Sequence, residues 1–384
     1  MERSYFTAAL ISASVIAAAT AIAGGRDDDE HSSNGPITIA VTGDWPYSQL
    51  LLDNASRLLN SVNADRSVSL AVHLGDIHFG SGPCTSADIL PPIPLSNPGW
   101  NQKVYFQFQQ FNAPLVYTPG DNEWTDCHKT KQKASGAPLK ELASVRNLFF
   151  AKPGQTLGRN EKRVRSQAKY FDPAFPADAQ FVENVMWQAS RVVFVTLNLP
   201  GSNNDGLPWK GGTDVPLRFL DEAARMKEVE DRNAANSRWL QAAFNEAAEE
   251  DAKAVVILTQ ADMWDHEAAG LPPNPFPGDG LDGYTAFVHQ LAALTLEFGR
   301  PVLLLNGDSH VYGTDRPLAD PSSTNGLIHG TQPVPNLTRI TVQGSAVAPA
   351  EWLRLTIDPR TAEVFSWTNV PYCNVPTSST CELP

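Results

Sequence analysis

Residues 116–127 read VYTPGDNEWTDC, a short apolar run that stops on Gly120-Asp121-Asn122-Glu123, three consecutive side chains able to bind a metal ion or exchange a proton. The same event recurs along the chain. ITIAVTGD (37–44) ends at Asp44, VSLAVHLGD (68–76) at Asp76, and PVLLLNGDSH (301–310) at Asp308 and His310. A fifth pair, Gly278-Asp279, follows no strand and sits in the Pro-rich PPNPFPGDG. One Gly-Asp is an ordinary turn. Four in series, each at the carboxyl end of a β-type run, point to carboxylates gathered in one place. The glycine is expected to let the chain turn sharply out of the strand, so that the aspartate faces that place.

The elements between these points alternate. Strand-like ITIAVT, VSLAVHL, APLVYTP, RVVFVTLNL, AKAVVILTQ and PVLLLN are separated by segments of helical period. Those segments are YSQLLLDNASRLLNSV, WNQKVYFQFQQF, LKELASVRNLFF, RNAANSRWLQAAFNEAAEE and GYTAFVHQLAALTLEFG. LTRITVQG, EWLRLTID and AEVFSWTN then read as successive antiparallel strands. The pattern predicts an α/β fold with largely parallel pairing and a β-rich finish. Ligands in such sheets collect at the carboxyl edges of the strands. Asp44, Asp76, Asp121, Gln260, Asp308 and His310 are therefore expected on one rim. Segments 153–187 and 262–280 read as loops able to shape specificity.

The chain has 384 residues, 42% hydrophobic and 18% charged, which suits a globular core rather than disorder. A formal net charge of −13 argues against nucleic-acid binding and against anionic membranes. A phosphate-bearing substrate then requires positive charge inside the site. Residues 1–23 read as a signal peptide, with Ala21-Ile22-Ala23 as the cleavage site and an N-terminal membrane anchor as the alternative, and residues 24–36 as a polar linker. Cleavage would leave no stable membrane span, and the mature protein is expected to be secreted or periplasmic. Residues 37–368 form the expected domain and 369–384 a C-terminal tail. Four cysteines agree with export. Cys84 and Cys127 follow two of the Gly-Asp motifs and would tie their loops together; Cys373 and Cys381 would close a small terminal loop.

Converging carboxylates without a cation repel one another and raise their own pKa values. Divalent ions remove that conflict. Two of them about 3.5–4 Å apart can hold a bridging hydroxide and clamp a phosphoryl group.

The order of these motifs resembles the calcineurin-like metallophosphoesterases, over about residues 37 to 312. The resemblance implies a β-sandwich flanked by helices, with a dinuclear site at the strand ends. HLGDI, YTPGDNEWTDCH, RNAAN and NGDSH look like an exported branch of that superfamily. Asp76 is the implied bridging ligand, with Asp44 and His310 at the first ion. Asp121, Asn122, Gln260 and Asp308 would hold the second. Several positions depart from the family pattern. Pro46 stands where D-x-H has its histidine, and Asn122 where the leaving-group histidine stands. Gln260 and Asp308 replace two further histidines. The implied site is oxygen-rich with one imidazole, which favours Mg, Mn or Ca over Zn, with Fe also in range. The implied activity is in-line attack of a metal-held hydroxide on a small phosphoester, with Asp76, Asn122 and His310 in catalytic roles. A catalytically weak or inactive binding protein is the alternative.

Other residues carry weaker signals. His78 and His128 lie on loops from which they could replace a lost histidine. Trp45 and Trp124 follow rim motifs and either wall a pocket or pack beneath it. His73, inside an apolar strand, reads as a core histidine. Asn203 and Asn204 end a strand in a loop that either touches the rim or makes a simple turn, and Arg316 reads as either a phosphate contact or a surface ion pair. Gly-Asp-Ser at 307–309 also opens the nucleophile motif of some serine esterases, with Ser309 as nucleophile, but no downstream Asp-x-x-His follows.

Overall fold

Each inner strand is apolar on both faces, and the two faces bury against different layers. In the run Ala254–Leu258, Val255 and Ile257 pack toward helices, while Ala254, Val256 and Leu258 pack toward a second sheet. Val302 and Leu304 divide from Leu303 and Leu305 in the same way. A strand covered on both sides reads as a continuous apolar run, as these do.

A computed structural model describes residues 35–82, 84, 99–129, 136–209, 221–266 and 280–383. Twelve strands occur among them: β1 (Ile37–Thr42), β2 (Val68–Leu74), β3 (Leu115–Thr118), β4 (Arg165–Ser166), β5 (Val185–Ala189), β6 (Val192–Thr196), β7 (Ala254–Leu258), β8 (Val302–Asn306), β9 (Gly313–Asp315), β10 (Leu337–Thr341), β11 (Ala350–Ile357) and β12 (Phe365–Cys373). They make a five-stranded sheet, β12-β11-β1-β2-β3, and a seven-stranded sheet, β4-β5-β6-β7-β8-β10-β9. β1, β2 and β3 run parallel, as do β6, β7, β8 and β10; the remaining pairings are antiparallel.

Two mixed sheets flanked by helices result, a mixed α/β architecture. Ile39, Val41, Val72 and Leu355 of the first sheet meet Phe194, Val256, Leu303 and Ile340 of the second in a shared core. Helices Gln49–Asp53, Ala55–Ala64, Trp100–Phe108 and Pro138–Phe149 cover the first sheet's outer face through Leu51, Leu58, Val104, Phe108 and Val145. Glu222–Glu249 and Thr285–Phe298 cover the second. The longer helix buries Trp239, Leu240, Ala243, Phe244 and Ala247, a stripe at helical spacing, and Asp221 caps its start by accepting the Ala224 N–H at 3.0 Å.

Three details differ from expectation. LTRITVQG is not a neighbour of EWLRLTID: β10 joins the seven-stranded sheet parallel to β8, and only β11 and β12 pair as an antiparallel hairpin. Alternation shows that a strand is half-buried, but not which sheet takes it. The first helical segment breaks at Asn54 into two helices. The loop expected over 153–187 contains β4, a short helix Gln167–Tyr170 and the start of β5. The signal segment 1–23, the control Gly278-Asp279 and most of 262–280 lie outside the described residues. β12 runs across residue 368 to Cys373.

Disulfides join Cys84 to Cys127 and Cys373 to Cys381, as the spacing anticipated, and fit an oxidising compartment. Among the described residues no helix is long and apolar enough to cross a membrane.

Candidate metal centre

The parallel strands of both sheets bring their carboxyl ends to one edge, and the expected residues meet there. Asp44 follows β1, Asp76 follows β2 and Asp121 follows β3; Gln260 follows β7, and Asp308 and His310 follow β8. Among the described residues two groups have ligand atoms all within 4.8 Å of one another: Asp44, Asp76 and His310, and Asp76, Asp121 and Asp308. Asp76 belongs to both. Asp44, Asp76 and Asp121 are buried, Asp308 is half-buried, and the His310 side chain is 36% exposed.

Much of the local backbone is left-handed. Asp44, Asp76, Asp308 and His310 have φ of 49°, 58°, 75° and 66°. Non-glycine residues adopt this region at a cost of roughly 1–2 kcal/mol each, and such strain clusters at functional sites. The glycines were expected to make the turn. At Gly75-Asp76 the glycine does turn, and the aspartate with it; at Asp44 and Asp308 the aspartate alone is left-handed, and at Gly120-Asp121 neither residue is. The common role of the glycines is clearance. A Cβ on Gly120 would lie 2.2 Å from Asp76 Oδ1, one on Gly307 2.7 Å from Asp44 Oδ2, and one on Gly43 3.0 Å from Val342. The motif repeats because the strand ends crowd together.

That crowding makes Gly120→Ala a sharp test. The methyl cannot fit without moving Asp76, so chemical denaturation should show a loss of about 1–3 kcal/mol or more. Metal uptake should fall with it. A variant of unchanged stability and ion content would mean the Asp76–Gly120 approach is not a constraint.

Tyr47, which sequence reasoning passed over, stands inside the first group. Its hydroxyl donates to Asp76 Oδ2 at 2.7 Å and lies 3.1 Å from Asp44 Oδ1, 3.0 Å from the donating Asn122 Nδ2 and 3.1 Å from His310 Nε2. Its one sequence signal is its place three residues past Asp44, at the same motif. Burial and then Asp76 and Asp44 hold the phenol well above its usual pKa, so it stays protonated and bridges the two acids.

The amides are donors in this arrangement. Asn122 Nδ2 reaches Asp76 Oδ2 at 2.9 Å, and the Asn122 N–H reaches Oδ1 at 3.1 Å. Gln260 Nε2 donates to Asp308 at 3.1 Å and to Asp121 at 3.4 Å, while its oxygen accepts the Gly201 N–H. Glu123 sits beneath them. Its Oε1 accepts from Tyr117 Oη and the Gly120 N–H, both at 2.6 Å, and from the Asp76 N–H at 3.2 Å. It thereby pins two of the motif loops to each other.

The electrostatics are unfavourable for so many acids without a cation. Burial raises the Asp44 carboxyl above its usual pKa; burial together with neighbouring acids, Asp121 first, holds Asp76 and Asp308 well above theirs. Burial lifts Glu123 to about 7. Asp44 Oδ2 is buried with no hydrogen-bond partner. A donor set of carboxylate oxygens and one imidazole, containing an unsatisfied buried oxygen, fits hard divalent ions.

Several candidates lie elsewhere. His73 is a core histidine, bonded at Nε2 to the Trp45 carbonyl at 3.0 Å and depressed by burial to about 3. His78 is buried and depressed to about 4, and His128 is buried 6.2 Å from the Trp209 ring; among the described residues neither belongs to a ligand group. Trp45 and Trp124 are fully buried and pack beneath the loops. Asn203 and Asn204 bind Asp282 and Asn233, and it is their neighbours Gly201 and Ser202 that touch the acids. Arg316 lines a groove with Val302 and Phe365, at the start of β8 and therefore at the far end from the cluster. Ser309 donates to Asp262 at 2.7 Å, and that carboxylate is paired with Arg339, so its hydroxyl is engaged by an ion pair rather than an imidazole.

No family model matches the chain. No curated protein matches it significantly. Among solved structures it is similar to GAP50, the anchor in the inner membrane complex of Plasmodium, at 10% identity and TM-score 0.39, covering 89% of this chain and 91% of that one. It is also similar to the sulfate thiohydrolase SoxB of Thermus thermophilus in complex with glycerol, at 13% identity and TM-score 0.35, covering 84% of this chain and 42% of that one. Likeness at this level leaves fold and function to be judged from the site itself.

Proposed function

We propose that this protein is an exported, metal-dependent phosphoester hydrolase of the calcineurin-like metallophosphoesterase type, acting on a small-molecule substrate. The observation that carries the reading is the pair of ligand groups sharing Asp76, with an unpartnered buried oxygen on Asp44. Asp44, Asp76 and His310 would hold one divalent ion. Asp76, Asp121 and Asp308 would hold the other, and Asn122 and Gln260, expected as ligands from the sequence, instead turn their amide N–H groups toward these carboxylates and steady them. When bound, such ions supply the positive charge that neutralises the acids, acidifies water and steadies phosphoryl oxygens.

The chain's own residues supply orientation. The Tyr47 hydroxyl and the Asn122 side chain fix Asp76 Oδ2, the Asn122 N–H fixes Oδ1, and Glu123 fixes the Asp76 backbone. His310, partly exposed at the rim, would give the first ion its one nitrogen ligand. Asn122 has no proton to give a leaving group. That favours a second reading, a slow or inactive binding protein retaining the ions. The two disulfides support export.

Elemental analysis of the mature protein after reconstitution with Mn, Mg, Fe, Zn and Ca in turn separates the readings. Close to two ions per chain, with turnover of a phosphomonoester or diester, is the expected result. Two ions without turnover would leave the binding protein, and one ion or none would defeat the dinuclear site.

A further inference from the structure

Four consecutive residues, Ser202 to Asp205, hold φ between 55° and 58°. None is glycine, and a left-handed run of this length is costly in L-residues. It is braced from below: the Arg232 guanidinium, fully buried, bonds the Asn204 side chain and carbonyl, and Arg225 donates to the Asp205 carbonyl. Asn203 is tied to Asp282 and Gly283. Strain maintained by this much bracing must place something. It presses Gly201 against the second ligand group, where a Cβ would lie 2.6 Å from Asp308 Oδ1 and 2.8 Å from Asp121 Oδ2.

The residue it delivers is Ser202. Its hydroxyl lies 2.7 Å from Asp121 Oδ2 and 2.7 Å from Asp126 Oδ1, and it accepts from Lys129 Nζ at 2.6 Å. Lys129 also pairs with Asp126 at 2.8 Å. The pair is one-sided, the Asp126 side chain being fully buried and that of Lys129 22% exposed. A chain of net charge −13 thus keeps an ammonium one hydroxyl away from the Asp121 carboxylate, on a side chain that is 22% exposed.

We propose that Lys129, set by Ser202, is a substrate-positioning residue that binds a non-bridging oxygen of a phosphate and makes the site prefer phosphomonoester dianions over diesters. This rests on the phosphoesterase reading above. An ammonium on a flexible stem is a point charge that favours the more highly charged group. A diester presents one negative charge where a monoester at neutral pH presents close to two.

The test uses the full mature chain loaded with Mn, inorganic phosphate as ligand, and calorimetry. The wild type should bind phosphate. Lys129→Met should bind it about tenfold more weakly, with unchanged ion content and melting temperature, and Lys129→Arg should recover most of the loss. On p-nitrophenyl phosphate the Met variant should lose mainly in KM, and on bis-p-nitrophenyl phosphate it should lose much less. Unchanged phosphate affinity in Lys129→Met would overturn the proposal and leave Lys129 as a brace for Asp126. So would an equal loss on both esters, or a lower ion content in the variant. A wild type that takes up two ions but binds no phosphate would overturn the phosphoesterase reading itself, and this proposal with it.

Discussion

Asp76→Ala should remove both ions and all phosphoester turnover in a single step. Every other acid in the cluster belongs to one ligand group, whereas Asp76 belongs to both. It is also where the organising contacts converge, since Tyr47, the Asn122 amide and the Asn122 N–H all bond its carboxylate. Loss of a partner that merely orients a ligand typically costs roughly 10–100-fold in metal affinity or activity, and loss of the shared ligand should exceed that clearly. Asp44→Ala and Asp121→Ala should each leave one group intact and one ion bound. The measurement is ion content by plasma mass spectrometry beside phosphatase activity. An Asp76→Ala protein that stays loaded and active would end the assignment.

The metal-free protein should become less stable as pH rises from 6.5 to 8.5. Asp76 and Asp308 are held well above the ordinary carboxylate range, Glu123 is lifted to about 7, and burial lifts Asp205 to about 8. A carboxyl whose folded pKa is raised contributes stability below its unfolded value and loses it as pH climbs through the folded one. The buried histidines act oppositely. His73 and His78, depressed to about 3 and 4, cost stability as pH falls below their ordinary 6.5, and above it they are neutral in both states. The window above 6.5 therefore reports the carboxylates. At up to about 1.4 kcal/mol per group and pH unit, the loss across it reaches several kcal/mol. Added Mn should reverse the trend, because ligands must be deprotonated to bind and binding only the folded state stabilises it. Denaturation midpoints at several pH values, with chelator and with Mn, measure both arms. A flat profile with chelator would mean the acids do not oppose one another as their burial implies.

What the sequence disclosed was whatever leaves a local trace. Apolar runs ending in Gly-Asp marked the strand ends, and pairing those ends in parallel was enough to gather Asp44, Asp76, Asp121, Gln260, Asp308 and His310. Tyr47 left almost no trace, since a single phenol acquires meaning only when Asp76, Asn122 and His310 arrive from distant strands. The segment after β6 was legible only in part, for a related reason. Its asparagines look like turn formers and are, while the contact with the acids falls to Gly201 and Ser202. β10 went to the wrong sheet in the reading because alternation describes a strand's faces and leaves its neighbours open. The turn expected of the glycines holds at Gly75 and not at Gly43, Gly120 or Gly307, where crowding is the reason, because backbone freedom is written in the residue type and spatial crowding is not.

Asp44, Asp76 and Asp121 stand on the five-stranded sheet, and Asp308 and His310 on the seven-stranded one, so each ligand group draws on both. Between the sheets lies an apolar core whose attraction is non-directional, so the polar ties at its edge are what give the two sheets directed contacts. Ions held at that edge would act as a clasp between the covers of a book. They would add to the hydrogen bonds that already cross there, from Thr118 to the Leu197 carbonyl, from Ser345 to the Asp44 carbonyl and from the Asp308 N–H to Asp44, so that the same residues which gather the charge also fasten the covers.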